Sequence, residues 1–149
     1  MRTISCLESL SPSLAASYKQ ANYNQRRCTA LAMCLFAVGR AGLQGDEVNA
    51  ALILLRNDVP GSSDMQKKLG RLAEQLDEQY FRLSGDTENI TPAASAMFQK
   101  ARAAEALALA LSPKGEQLDG AIYEAIYASN DLEEQDEATQ MAEAMLRAK

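Results

Sequence analysis

The sequence predicts an all-α protein, a single-domain helical bundle of five to seven helices spanning residues 1–149. Three observations lead there. Strong helix formers dominate, and β-branched residues are few and scattered. Apolar residues recur at i, i+3, i+4, i+7 spacing in several stretches, the period of a helix face. Ser-Pro, Thr-Pro and glycine clusters separate those stretches where helix caps belong. A chain of 149 residues can bury a real core, and a hydrophobic content of 47% excludes general disorder. With 5% aromatics and no Trp, that core has to be built from Leu, Ala, Ile and Met.

Residues 1–10 form a candidate flexible N-terminal segment. The opening MRTISCLESLSPS carries Glu8 and lacks a sustained apolar run, which predicts no signal peptide. Cys6 follows Thr3-Ile4-Ser5 with no hydrophobic segment before it, which argues against a lipoprotein anchor. No apolar run approaches the roughly 18 residues that a bilayer span requires. A cytoplasmic protein with no membrane partner is the expectation.

Ser11-Pro12 is a cap-and-proline start, and the helical stretch it opens should reach Val38 or Gly39, with a break available near Ala21-Asn22. Leu14, Tyr18 and Ala21 share one face; Cys28, Leu31, Ala32, Leu35 and Val38 continue an apolar surface. Lys19, Tyr23, Arg26 and Arg27 lie together elsewhere. Basic residues beside an aromatic can grip phosphates, but the patch is short and the chain acidic, so a solvated face is expected and no direct nucleic-acid binding. Gly39, Gly42 and Gly45 mark the next turn. GRAGLQG lacks the GK[ST] ending and a preceding strand, which excludes a phosphate loop.

Asp46 is placed to cap a helix to about Arg56, with Val48, Ala51, Leu52 and Leu55 on its core face. NDVPGSS is a turn cluster. After Ser63, the stripe Met65, Leu69, Leu72, Leu76, Tyr80 and Leu83 defines the clearest amphipathic helix. Lys67, Lys68, Arg71, Glu74, Asp77, Glu78 and Arg82 form its solvated face. Gly70 inside it costs about 1 kcal/mol against Ala, and close helix contact is the expected reason.

SGDTEN is a polar loop leading to the stretch TPAASAMFQKARAAEALALAL, with Thr91 as N-cap and Pro92 at the first helical position. Ser95, Gln99 and Arg102 make a narrow polar strip, and Ala106–Leu111 carries no polar side chain. This reads as the central helix of the bundle, ended by Ser112-Pro113. A helix from Gln117 to Ser129 follows, with Leu118, Ile122, Ala125 and Ile126 facing the core and Tyr123 and Tyr127 one turn apart. The last helix runs from Leu132 to Leu146, carrying Ala138, Met141, Ala142 and Met145. No period of about 34 residues supports a helical repeat.

Three cysteines without a CxxC pairing are neither a disulfide framework nor a zinc site. Cys28 and Cys34 stand about 240° apart around a helix and read as small buried hydrophobes. The chain contains no histidine. That excludes His-based triads, Cys–His dyads, His-containing zinc sites and the usual proton shuttle near neutral pH. Catalysis by carboxylates alone would need acidic groups converging in a pocket. No catalytic residues, cofactor or metal are expected.

Charge is uneven. Residues 1–40 balance at +4, residues 41–115 at −2 and residues 116–149 at −7, for the net −5. Asp131, Glu133, Glu134, Asp136 and Glu137 cluster where the last helix begins. Acids there support a helix N-terminus, and together they form a candidate docking surface for a basic partner. Tyr127 is a candidate anchor beside them, with Tyr123.

RLAEQLDEQYFRL, MFQKARAAEALALALSP and AIYEAIYASNDLEE together resemble small acidic helical immunity proteins of bacterial polymorphic or contact-dependent growth-inhibition toxin systems. The likeness covers residues 65–135 or so and rests on an Ala/Leu-rich pattern. It implies a non-catalytic cytoplasmic inhibitor that covers the active site of a cognate, basic toxin domain, often a nuclease. The alternative is a helical scaffold or adaptor that holds a partner helix, in which Tyr123 and Tyr127 would matter more than the acids.

Overall fold

The computed structural model describes residues 6–59, 62–84, 91–112, 117–129 and 131–148. Among these residues there are eight helices and no strand. They are α1 (Cys6–Leu10), α2 (Pro12–Gln20), α3 (Tyr23–Ala41), α4 (Asp46–Arg56), α5 (Ser63–Ser84), α6 (Pro92–Ala110), α7 (Leu118–Tyr127) and α8 (Leu132–Arg147). The count exceeds the expected five to seven because α1 is a helix of its own. Five residues are too short to show a period, but Leu7 is fully buried and seats them. Residues 1–5, Pro60-Gly61, residues 85–90 (all of the polar loop SGDTEN but Ser84) and the helix-ending Pro113 lie outside the described residues. No described helix is long and apolar enough to cross a membrane.

The break at residues 21–22 is a matter of capping. Ala21 turns extended, and Asn22 then makes a reciprocal capping box with Gln25, both bonds at 2.8 Å. Helix α3 continues past Gly39 to Ala41, two residues beyond the expected end. It stops at Gly42, whose φ of 69° is left-handed and whose N–H returns to the Gly39 carbonyl. The buried face of α3 is also rotated from the expected one. Thr29, Ala30, Met33, Cys34, Ala37, Val38 and Ala41 are buried, whereas Cys28, Leu31, Ala32 and Leu35 are only partly so. The cause is tertiary: α3 packs against α4, α6, α7 and α8, and small residues lie where neighbours crowd it.

Helix α4 begins at Asp46 itself, so Gly45 and not Asp46 is its N-cap, without a side-chain bond. Ser62 caps α5 by accepting from the Met65 N–H at 3.1 Å. The α5 stripe buries Leu69, Ala73 and Leu76, with Met65 and Leu72 packed against them. Leu83, in the last turn of α5, does not join it and is 47% exposed. The expected close contact at Gly70 is absent too. A Cβ there would meet nothing within 4 Å.

Helix α6 has the expected N-cap, Thr91 Oγ1 accepting from Ala94 N–H at 3.1 Å. It packs against α3, α4, α5 and α7. Ala101, Ala103, Ala104, Ala106, Leu107, Ala108, Ala110 and Leu111 are all buried, which places it at the centre. Where α6 meets α7, a Cβ on Gly120 would lie 3.1 Å from Leu109 Cδ1, so this glycine admits the leucine. Helix α8 closes the bundle against α2, α3 and α7 through Ala138, Ala142 and Leu146.

Candidate binding surface

The start of α8 is built around a cap. Asp131 Oδ1 accepts from the Glu134 N–H at 2.9 Å, which satisfies an otherwise orphaned donor. Glu134 reaches across to Arg40 of α3 at 3.2 Å. Arg40 in turn donates to Ser129 Oγ at 3.0 Å and lies 4.0 Å over the Phe36 ring. The junction between α7 and α8 is therefore pinned to α3 by one guanidinium. Glu133, Asp136 and Glu137 are exposed, on the side of α8 opposite buried Ala138, Ala142 and Leu146. Beside them Leu132 is 77% exposed. Nothing in the sequence sets this leucine apart, because a hydrophobe at the first position of a helix looks like core.

Tyr123 and Tyr127 are both half-buried, with ring centroids 4.8 Å apart and planes inclined at 54°. The Tyr123 hydroxyl is held above its ordinary pKa by burial and by the hydrogen bond and charge of Tyr127, against an opposing bond from Ser9. Tyr123 thus bonds to α1, a different neighbour from the one that Glu134 grips.

The basic patch read in the first helices is partly open: Lys19 and Tyr23 are exposed, whereas Arg26 and Arg27 are half-buried. Arg26 donates to the carbonyls of Tyr18 and Lys19 and stacks 4.3 Å over the Tyr18 ring. Arg27 pairs with Asp58 at 3.5 Å and donates to the Leu55 carbonyl. Lys19 pairs with Glu8 at 3.6 Å. These three cations therefore join elements of the fold.

A charged cluster lies between α5, α6 and α7. Arg102 of α6 donates to Glu124 of α7 at 2.6 Å and to Asp77 of α5 at 2.8 Å, with Phe98 at 5.8 Å from the guanidinium. Its Nε is buried without a protein partner. Burial works against the charge on Arg102, and Glu124 and then Asp77 more than offset it, so its pKa is raised. Glu105 is half-buried nearby. Its pKa is raised by burial first and by Glu124, with Arg102 opposing and Asp77 and Glu74 adding. Asp77, expected on a solvated face, is thus a structural partner. The one available signal was an arginine set among small apolar residues on a central helix.

Cys34 is buried, which pushes its thiol up to about 12, and Cys28 is half-buried. Among the described residues no group of three or more His, Cys, Asp or Glu is placed to hold a metal ion. Polar clefts of about 370 and 280 Å³ open beside α4 and α5, sharing Glu47 and Lys68 as lining residues. The Arg102 cluster and the α8 acids line neither. Comparison of the chain with protein-family models, curated proteins and solved structures returned no match.

Proposed function

We propose that this chain is a non-catalytic binding protein that neutralises a basic protein partner, as in a toxin–immunity pair, through the acidic face of α8. The observation that carries the reading is the exposure of Glu133, Asp136 and Glu137 on one side of α8, with exposed Leu132 beside them. An enzyme groove that holds phosphates is positively charged, and a row of carboxylates on a rigid helix can occupy it by the same attraction. Asp131 and Glu134 then serve as positioning residues, since their carboxylates are committed to the cap and to Arg40. Tyr127, half-buried against Tyr123, is the candidate anchor, as tyrosine buries much area at low entropy cost.

The test is the association rate against ionic strength, using any toxin domain that is encoded beside this gene. The triple change Glu133→Lys, Asp136→Lys and Glu137→Lys should leave helical content unchanged and slow association by about tenfold or more at low salt. Its salt dependence should flatten or invert. A triple variant that binds as fast as the parent would move the interface away from α8. A parent chain that binds no such domain would remove the toxin reading and favour an adaptor holding a partner helix beside Tyr123 and Tyr127.

A further inference from the structure

Helix α5 is at the edge of the bundle. It packs on α6 and against α4, and Asp64, Lys68, Arg71, Gln75, Glu78 and Arg82 are all exposed along it. Their spacing of four, three, four, three and four draws a single stripe on a helix. Among the described residues none of the six makes an ion pair or side-chain hydrogen bond with the rest of the chain. The contrast with other cations is sharp, for Lys19, Arg27, Arg40, Arg102 and Arg147 are each paired with a carboxylate.

Read backwards, the stripe is its own electrostatic complement. When two copies of α5 lie antiparallel about a two-fold axis through position 73, Asp64 of one faces Arg82 of the other. Lys68 then faces Glu78, and Arg71 faces Gln75. Every pair occurs twice, as an isologous contact requires. The spacing keeps all six side chains on one side of the helix, opposite buried Ala73, so two copies can meet along its length. Half-exposed Leu72 lies one residue from the axis and lines the open cleft beside α4, so it adds apolar contact at the centre. At the end of the seam, the second copy's Arg82 would meet the carboxylates of Asp46, Glu47 and Asp64, which line the wider cleft.

We propose that α5 is a self-association surface, and that its occupant is a second copy of this chain held antiparallel by the complementary charges of the 64–82 stripe. The contact is distinct from the acidic face of α8 and does not rest on the function proposed for it. From Asp64 to Arg82 the seam runs for about 27 Å at the helical rise. Exposed ion pairs are individually weak and screened, so the dimer is weak, concentration-dependent and salt-sensitive.

Sedimentation equilibrium of the full chain, at ionic strengths of about 0.02 and 0.5 M, tests it with two variants at exposed positions. The parent should dimerise at low salt and dissociate at high salt. Lys68→Glu places two carboxylates against each other at both ends, and Glu78→Lys does the same with two ammonium groups. Each alone should weaken dimerisation by about tenfold or more. An equimolar mixture of the two variants restores both opposite-charge pairs and should dimerise like the parent. A parent that stays monomeric at low salt and high concentration overturns the proposal. So does a mixture that associates no better than its components, or a single variant that dimerises as well as the parent. Circular dichroism of each variant confirms that the fold is intact.

Discussion

Arg102 Nη1 donates to Glu124 Oε1 at 2.6 Å while Nη2 of the same guanidinium reaches Asp77, so one side chain ties α5, α6 and α7 together. The side chains of Arg102 and Glu124 are 20% and 15% exposed, and that of Asp77 33%. Removing the guanidinium leaves two carboxylates crowded beside half-buried Glu105. Arg102→Ala should cost about 2 kcal/mol, below the range for a fully buried pair because water still reaches the site. Arg102→Lys should recover only part of this, as one ammonium cannot reproduce the fork. Urea unfolding midpoints compared at constant slope would measure both.

Glu105 carries a prediction with a definite sign. Burial, with help from Glu124, raises its folded pKa above the ordinary value of 4.5. The folded chain therefore holds this proton more tightly than the unfolded chain does. The stability that Glu105 contributes is fully present below the unfolded value and is lost as pH rises through the folded one. Glu105→Gln should unfold at a higher temperature than the parent near neutral pH. The difference should shrink as pH is lowered through the raised folded value towards 4.5. A difference independent of pH would show that Glu105 is not the group responsible.

Leu107 and Leu111 are both fully buried on the central helix, while Lys100 is partly exposed. Truncating either leucine to Ala should cost about 2–5 kcal/mol through lost burial and the cavity left behind. Lys100→Ala should change stability by no more than about 0.5 kcal/mol. Denaturant midpoints in the reverse order would displace α6 from the centre of the bundle.

Gly70 of α5 and Gly120 of α7 should respond differently to the same substitution. Gly70→Ala enters open space and should stabilise by about 0.5–1 kcal/mol, the ordinary gain in helix propensity. Gly120→Ala has the same gain available, but its new Cβ meets Leu109 Cδ1 at 3.1 Å and the leucine has to move. Thermal melts should therefore show a smaller benefit, or a loss, at Gly120. Equal gains at both positions would mean that the α6–α7 contact is looser than the structure has it.

What the sequence determined by itself is local. Thr91-Pro92 and Ser11-Pro12 announce helix starts because a cap is a bond between residues three apart. The stripe of α5 and the apolar run of α6 announce which faces are buried, because periodicity is written in consecutive residues. Even the −7 balance of the last 34 residues needs only counting. Tertiary structure decided whatever depends on which helix lies beside which. The buried side of α3 was set by four neighbours and not by its own pattern. Asp77 looks like any exposed acid until α6 brings Arg102 within 2.8 Å, and Glu134 leaves the acidic surface only because α3 presents Arg40. Gly70 and Gly120 are indistinguishable as residues inside a helix. One faces open space and the other Leu109, since space around a Cα belongs to the packing of distant segments and not to the chain on either side of it.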